Sequence, residues 1–373
     1  MSKKRIHFHG SDLEKIESIY GIQKDKIVSF GANVNPLGIS PVLKDAISAD
    51  PGCISAYPDR EYRELKRALS DYCHIDASFI FPGNGSTELI SLFIHALNPE
   101  AAMILGPSYS EYERELGLCG TDYQYFPLQE EFDFRLHDTA ALFKKMEQSL
   151  FGKRNPLFVL CNPNNPTSTS IHKEMLEAIA IFCTEHHITI IIDETYVEFT
   201  ANPEEISAVS LAERYPDLIV LRGVSKFFAA PGLRLGYAVT SNTTLGEQFL
   251  TQQHPWSVNS FASVHAAKMF RDQLYIMRTK SLIAAERDRV VQELLKIPGY
   301  KVYQPEANFV LIRILDSSIH AAELFDTAIR QGLMIRDCSD FPLLGPEYFR
   351  FCFMMPEEND RLLDVISSFH QKK

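Results

Sequence analysis

The sequence lacks three features that would place it in other protein classes. Its seven cysteines are widely spaced and include no Cys-x-x-Cys pair, which argues against a disulfide framework or a zinc cluster. It has no apolar run long enough for a signal peptide or a membrane span, and no fixed-period repeat. We therefore expect reduced thiols, no metal site, a cytoplasmic location and no membrane partner.

Positive charge is also scarce. Lysine and arginine number 37 against 48 aspartate and glutamate residues, which gives a formal net charge of −11. This excess of negative charge opposes nonspecific attraction to nucleic acid, so we expect no nucleic-acid partner. With 373 residues, of which 45% are hydrophobic, the chain can bury a large core and should form more than one compact unit.

Short aliphatic runs alternate with helical patterns along the chain. Buried strands are predicted at residues 102–105, 157–161, 188–192, 218–221 and 237–239. Helical spacing of apolar residues lies between several of them and before the first, as at residues 89–97. The alternation predicts an α/β protein. Its large, mainly parallel-sheet domain covers residues 46–270, and residues 1–45 and 271–373 form a smaller α+β domain.

Polar clusters directly follow four of the predicted strands. They occupy residues 106–109, 162–167, 193–196 and 222–226. Ligands of parallel α/β sheets bind beyond the carboxyl ends of the strands, where such clusters meet. The four clusters therefore predict one binding site at this edge of the sheet.

Lys226 is the strongest chemical candidate in these clusters. A lysine in apolar surroundings can form a Schiff base, because desolvation favours its neutral, nucleophilic amine. An arbitrary lysine is more often a packed stem with a solvated head. Here Ser225 and Arg234 lie on the same loop and offer a hydroxyl and a guanidinium to a phosphate. The combination indicates pyridoxal phosphate binding.

The segment 225–237 begins with Ser-Lys and ends with Pro-Gly-Leu-Arg-Leu-Gly-Tyr. It resembles the lysine signature of class I/II aminotransferase-type enzymes of pyridoxal phosphate fold type I. The resemblance extends over essentially the whole chain, because the other strand-end motifs occur in the order of that family. It implies a two-domain α/β fold, pyridoxal 5'-phosphate as cofactor, and a homodimer with shared active sites.

The resemblance also implies a role for each matching residue. Lys226 would hold the cofactor covalently, Asp193 would pair with its ring nitrogen, and Ser225 and Arg234 would bind its phosphate. The other matching residues would contact the ring or, from the neighbouring subunit, the phosphate, and they are Tyr109, Asn165, Tyr196 and Tyr57. Taken alone, Asp193 could equally be a helix N-cap, Asn165 a turn residue and Tyr109 a core tyrosine.

A glycine-rich turn at residues 83–88 opens a predicted helix. Free backbone N–H groups and the helix dipole favour an anion there, so Gly85, Ser86 and Thr87 are predicted to complete the phosphate site. One position departs from the family pattern. Relatives often have Ser or Thr three residues before the lysine, whereas this chain has Gly223, so one phosphate hydroxyl is missing.

Two arginines suggest a substrate with two anionic groups. Arg350 matches the small-domain arginine that binds a substrate carboxylate through two parallel hydrogen bonds, although an arginine without this context would be a surface ion pair. His9, Asn33 and Arg336 resemble residues of the threonine-phosphate decarboxylase group more than those of histidinol-phosphate aminotransferases. They would bind the substrate phosphate. Taken alone, His9 would be a flexible terminal residue and Asn33 a turn residue.

The cofactor residues alone cannot name the reaction, because all relatives share them. One hypothesis is decarboxylation of L-threonine O-3-phosphate to aminopropanol phosphate. The alternative is transamination of histidinol phosphate, or another class I/II aminotransferase reaction. Either substrate is a phosphorylated amino acid or amine. A noncatalytic pyridoxal phosphate-binding regulator of DNA fits the acidic charge poorly.

Overall fold

A computed structural model describes Phe8 and residues 10–371 of the chain. The α-helices are α1 (Leu13–Tyr20), α2 (Pro41–Ala49), α3 (Arg63–Cys73), α4 (Ser86–Leu97), α5 (Ser110–Leu118), α6 (Thr139–Leu150), α7 (Lys173–Glu185), α8 (Val209–Ala212), α9 (Thr243–Gln252), α10 (Ser260–Phe270), α11 (Gln273–Leu294), α12 (Ala321–Ile329) and α13 (Pro356–Gln371). The strands are β1 (Ile80–Gly83), β2 (Ala101–Gly106), β3 (Asp122–Pro127), β4 (Leu157–Cys161), β5 (Thr189–Asp193), β6 (Leu218–Gly223), β7 (Gly236–Val239), β8 (Tyr300–Val302), β9 (Phe309–Ile314), β10 (Arg336–Asp337) and β11 (Tyr348–Cys352).

The larger sheet contains seven strands in the order β1-β7-β6-β5-β4-β2-β3. Four of its six strand pairs are parallel, whereas β7 runs antiparallel to both of its neighbours. The predicted α/β class with a mainly parallel sheet is therefore confirmed. The five predicted runs form β2, β4, β5, β6 and β7. Their side chains are almost all buried, because helices cover both faces of such a sheet.

The smaller sheet contains four antiparallel strands in the order β10-β11-β9-β8. The segment around Phe30 packs on it: Val28 forms a bridge with Leu333, and the Phe30 ring lies edge-on to Phe351 at 6.1 Å between centroids. Buried apolar side chains form one continuous core that extends from the larger sheet to the smaller one. The domain limits at residues 45 and 270 stay a prediction.

The strand register brings the polar clusters together. Cys161 at the end of β4 lies opposite Asp193 at the end of β5, and Asp193 lies opposite Leu221 of β6. All seven cysteines are free. No helix in the described part of the chain has both the length and the apolar character needed to cross a membrane.

Candidate active site

A cavity of about 540 Å³ opens at the carboxyl ends of the central strands. Ten of the predicted site residues line it, and they are Ser86, Thr87, Tyr109, Asn165, Asp193, Tyr196, Ser225, Lys226, Arg234 and Arg350. The fold thus brings into one cavity side chains that are far apart in the sequence. Their arrangement decides what chemistry the cavity can support.

Lys226 points its amine into protein surroundings that disfavour charge. Its Nζ donates a hydrogen bond to the Ala32 carbonyl at 2.7 Å. Desolvation lowers the pKa of Lys226 to about 8, and the guanidinium groups of Arg350 and Arg234 act in the same direction. A larger fraction of this amine is neutral near pH 7 than for a lysine in water, and the neutral amine is the nucleophile and base.

The loop that carries Lys226 is held by a buried asparagine that the sequence did not single out. The Asn35 backbone N–H donates to the Lys226 carbonyl at 3.0 Å. The Asn35 side-chain amide lies 2.8 Å from the Phe227 carbonyl and 2.9 Å from the Tyr275 hydroxyl oxygen. These contacts fix the backbone at Lys226 and at the residue that follows it.

Asp193 is a buried carboxylate with neutral donors around it. Its Oδ2 accepts from the Tyr112 hydroxyl at 2.8 Å, and its Oδ1 accepts from the Thr195 backbone N–H at 2.9 Å and the Thr195 hydroxyl at 2.5 Å. Burial raises the pKa of Asp193, although these donors oppose the rise. A buried carboxylate that has only neutral hydrogen-bond donors is stabilised by a cationic partner, which a protonated ring nitrogen would supply.

Tyr112 and Thr195 also line the cavity, and sequence reasoning missed both roles. Tyr112 lies three residues after Tyr109, and residues at this spacing share one side of a helix. The two rings meet edge-on at 5.8 Å between centroids. That spacing is the signal that could have identified Tyr112. Burial raises the pKa of Tyr109 to about 12, so its hydroxyl stays neutral.

The amino end of α4 and Arg234 form an anion cradle. Gly85 has φ 88°, a backbone conformation that favours glycine, and a Cβ there would lie 2.4 Å from Arg234 Nη2, so the guanidinium would have to move for any side chain. A Cβ at Gly236 would lie 2.6 Å from the Ser86 backbone nitrogen. Arg234 Nη2 also donates to the Asn84 carbonyl at 3.3 Å. Free N–H groups, hydroxyls and a guanidinium can together hold a phosphate.

Gly223 lies next to this cradle and lines the cavity. A Cβ built at Gly223 would lie 3.7 Å from both Cβ and Oγ of Ser86, which is ordinary van der Waals contact. The position therefore has room for a serine. The hydroxyl that relatives often carry there is absent because of the residue type and not because of crowding.

Arg350 reaches the cavity from β11 of the smaller sheet. Its Nη1 donates to Asn165 Oδ1, and its Nη2 donates to the Gly31 carbonyl at 2.9 Å. Its Nε is buried and has no hydrogen-bond partner among the described residues. The guanidinium lies 5.1 Å from the centroid of the Phe309 ring, which stabilises its charge.

Asn33 lies beside the cavity without lining it. The residue is buried in a left-handed conformation, with φ 55°. Its Nδ2 donates to the Tyr196 hydroxyl at 3.3 Å, and burial raises the pKa of Tyr196. Asn33 therefore orients a neutral Tyr196 hydroxyl. Its predicted contact with a substrate phosphate stays a prediction.

Three other predicted residues lie away from the cavity lining or outside the described residues. Arg336 Nη2 donates to Asp340 Oδ2 at 2.7 Å, so an acidic side chain already holds its guanidinium. Tyr57 is 80% exposed and packs on Trp256, with 4.5 Å between ring centroids. His9 lies outside the described residues. The substrate roles of His9 and Arg336 and the intersubunit role of Tyr57 stay predictions.

A second cavity, of about 920 Å³, is lined by Arg222 and Glu198. Arg222 points away from the first cavity, because successive strand residues face opposite sides of a sheet. Its Nη2 pairs with Glu194 Oε2 at 2.8 Å, and both side chains are buried. Glu198 Oε2 is buried with no hydrogen-bond partner among the described residues. Burial raises the pKa of Glu198 from 4.5 to about 7.

Glu198→Gln should remove a pH-dependent loss of stability. The contribution of Glu198 is complete below about pH 4.5 and is lost as the pH rises through about 7, because the folded protein binds the proton more tightly than the unfolded chain. The pKa rise corresponds to about 3 kcal/mol. Part of this contribution is already lost at pH 5, so we expect the variant to lose about 2.5 kcal/mol less free energy of unfolding than the wild type between pH 5 and pH 8. Urea unfolding at both pH values measures this, with the exposed Glu213→Gln as control. Parallel pH dependence in all three proteins would contradict the prediction.

The family model for aminotransferase class I and II matches residues 25–366. The chain belongs to the aminotransferase class I and II family. The cofactor of this family is pyridoxal phosphate, as the resemblance in segment 225–237 implied, and the fold type I prediction is confirmed.

Three relatives of this aminotransferase-family chain illustrate the range of activities nearby. A threonine-phosphate decarboxylase from Salmonella typhimurium is 34% identical over 358 residues, 96% of this chain and 95% of that protein. A histidinol-phosphate aminotransferase from Desulfitobacterium hafniense is 32% identical over 344 residues, 91% of each chain. The crystal structure of histidinol-phosphate aminotransferase from Clostridium acetobutylicum superimposes with a TM-score of 0.85 at 31% identity, and covers 92% of this chain and 99% of that one.

Proposed function

We propose that this protein decarboxylates L-threonine O-3-phosphate to aminopropanol phosphate. The observation that carries the proposal is the buried guanidinium of Arg350, which lines the cavity and acts electrostatically on Lys226. A planar guanidinium is suited to a carboxylate, and threonine phosphate has one on the carbon that reacts, whereas histidinol phosphate has none. The 34% identity to a threonine-phosphate decarboxylase supports the same substrate.

Transamination of histidinol phosphate is the second candidate. Its support is the 32% identity to a histidinol-phosphate aminotransferase and the 31% identity to a solved structure of that enzyme. In this reaction Arg350 would bind the carboxylate of the amino acid or keto acid that exchanges the amino group. The cofactor residues are the same in both cases.

The cavity residues fit pyridoxal phosphate in charge and chemical type. Lys226 would hold the cofactor covalently, Asp193 would keep its ring nitrogen protonated, and the anion cradle would hold its phosphate. The cradle side chains and N–H groups come from Gly85, Ser86, Thr87, Ser225 and Arg234, and the ring contacts come from Tyr109, Asn165 and Tyr196. Bound pyridoxal phosphate supplies an electron sink that stabilises negative charge on the substrate Cα.

The protein side chains then decide which bond breaks. Arg350 would hold the substrate carboxylate and so orient the Cα–carboxylate bond for cleavage. Lys226, with its pKa near 8, would deliver a proton to Cα after CO2 leaves. In the transamination alternative the same amine would take the proton from Cα and deliver it to a different atom of the bound substrate and cofactor.

Product analysis distinguishes the two reactions. Purified holoenzyme is incubated with threonine phosphate, and CO2 is measured. A parallel sample receives histidinol phosphate and 2-oxoglutarate, and glutamate is measured. We expect CO2 from threonine phosphate without added keto acid. Glutamate formation from histidinol phosphate, with no CO2 from threonine phosphate, would reverse the assignment.

We also propose a cytoplasmic homodimer with shared active sites. The support for the homodimer is a group of exposed apolar side chains on neighbouring elements. They are Val42 of α2, Ile54, Tyr57, Trp256 and Val264 of α10. A contiguous apolar patch of this kind marks a protein interface. Light scattering should give twice the chain mass. Mixing the inactive Lys226→Ala chain with a Tyr57→Ala chain should restore activity, and failure of both results would exclude shared sites.

Gly223→Ser should tighten cofactor binding. The added hydroxyl can donate to the phosphate, and a hydrogen bond to a charged group corresponds to about a tenfold fall in Kd. The nearest contacts of a new Cβ are 3.7 Å away, so the fold should tolerate it. Gly223→Ala, which adds the methyl group alone, is the matched control. The Kd of pyridoxal phosphate is measured by fluorescence titration of the apoprotein. Equal affinities of the serine and alanine variants would contradict the prediction.

A further inference from the structure

Asp50, Cys53 and His265 form a cluster outside the active-site cavity. One carboxylate oxygen, the thiol sulfur and one imidazole nitrogen all lie within 4.8 Å of one another. His265 Nε2 is 3.5 Å from Asp50 Oδ2. None of the three residues lines the cavity at the strand ends.

Local structure explains why these side chains meet. Asp50 precedes a 3₁₀ helix, Pro51–Ser55, and Cys53 lies within it. Residues three apart in a 3₁₀ helix lie one above the other, so the carboxylate and the thiol share one side of this turn. His265 lies in the middle of α10, which packs against the turn and against α2. The three ligands therefore come from two elements that face each other.

The buried ring of His265 points to a ligand. Its side chain is 4% exposed, and neither ring nitrogen makes a hydrogen bond to any residue the structure describes. Buried imidazole nitrogens are normally paired with a donor, an acceptor or a metal ion. In the single chain Asp50 is exposed and Cys53 is half-buried.

The donor set and spacing suit a tetrahedral zinc ion. Zinc bonds of about 2.0–2.3 Å hold ligand atoms about 3.3–3.7 Å apart in tetrahedral geometry. The nitrogen–oxygen distance of 3.5 Å already lies in that range. The upper limit of 4.8 Å for the remaining pairs requires only small side-chain rotation. One carboxylate and one thiolate balance the 2+ charge, and the thiol proton passes to solvent on binding.

We propose that Asp50, Cys53 and His265 form a zinc-binding site whose fourth position is open to water. The ion would tie the turn at Pro51–Ser55 to α10. Ser260 Oγ of α10 donates to the Ala56 carbonyl at 3.4 Å, so this restraint would continue to the residue before Tyr57. The ion would therefore order the exposed segment that carries Tyr57.

Zinc titration of the holoenzyme tests the proposal. The protein is treated with a chelator, dialysed, and titrated with Zn²⁺ against a chromophoric competitor. We expect one zinc ion per chain with a micromolar or lower Kd. Cys53→Ser and Asp50→Asn should each weaken binding at least tenfold, because each removes a ligand. Cobalt substitution should give a thiolate-to-metal absorption band that Cys53→Ser abolishes.

Matched variants keep the result independent of folding and of the active site. Cys119 is another half-buried free cysteine, and Cys119→Ser should bind zinc as the wild type does. His265 is buried, so His265→Asn is interpreted only if circular dichroism and cofactor absorbance match those of the wild type. Cys53 and Asp50 are more accessible, and their variants are expected to fold. Wild-type protein that binds no zinc, or Cys53→Ser and Asp50→Asn proteins that bind it as tightly as the wild type, would overturn the proposal.

Discussion

Lys226→Ala is expected to lower kcat by a factor of about 10⁴, because it removes both the nucleophile and the group that moves the Cα proton. The loss should come with little loss of stability. Lys226 is held by one hydrogen bond to the Ala32 carbonyl, and its charge is disfavoured by Arg350 and Arg234. Turnover is measured with threonine phosphate. Borohydride reduction followed by peptide mapping should locate the cofactor on residue 226 in the wild type and find no such label in Lys226→Ala.

Lys66 provides a matched control for this result. Burial also lowers the pKa of Lys66, and its Nζ lies 5.7 Å from the centroid of the Phe81 ring, but it does not line the cavity. Lys66→Ala should keep wild-type kcat and the borohydride label. A Lys226→Ala protein that retains more than a few per cent of wild-type activity would rule out the proposed role of Lys226.

Asp193→Asn is expected to lower kcat by about 10²–10³, the range found when one preorganised electrostatic contact is removed. The amide has nearly the same shape as the carboxylate, but it cannot stabilise a protonated ring nitrogen by charge. The electron sink therefore weakens, while the anion cradle still holds the phosphate. We expect cofactor to remain bound at saturating concentration, and kcat is measured under those conditions.

Tyr112→Phe separates charge from hydrogen bonding at the same carboxylate. It removes the 2.8 Å hydrogen bond to Asp193 Oδ2 and leaves the negative charge. One such bond to a charged group accounts for about a tenfold effect. If Asp193→Asn cost no more activity than Tyr112→Phe, charge on Asp193 would not be needed for the reaction.

The sequence predicts the buried strands better than the strands at the sheet edges. The run that became β4 is apolar along its whole length, so burial on both faces can be recognised from composition. Strand β3 lies at the edge of the sheet, and its residues are exposed or half-buried, which leaves no apolar run to recognise. The antiparallel direction of β7 depends on tertiary pairing and is not encoded in its short apolar run.

The candidate site was predictable where a residue type has few other uses. A lysine after a buried strand and an arginine eight residues later form such a pattern, and Lys226 and Arg234 both line the cavity. Tyr112 was missed because a tyrosine on a helix is usually a core residue. The pairing of Arg336 with Asp340 could not be inferred either, because it depends on how the chain turns after β10.

The cavity draws its reactive groups from both sheets. Asp193 ends β5 and Lys226 follows β6 of the seven-stranded sheet, whereas Arg350 belongs to β11 of the four-stranded one. A molecule that engages Arg350 at one end and the amine of Lys226 at the other therefore links the two sheets. The affinity of such a molecule depends on the distance between Arg350 and Lys226. Substitutions that shift one sheet against the other will therefore change KM even when they lie far from any reacting atom.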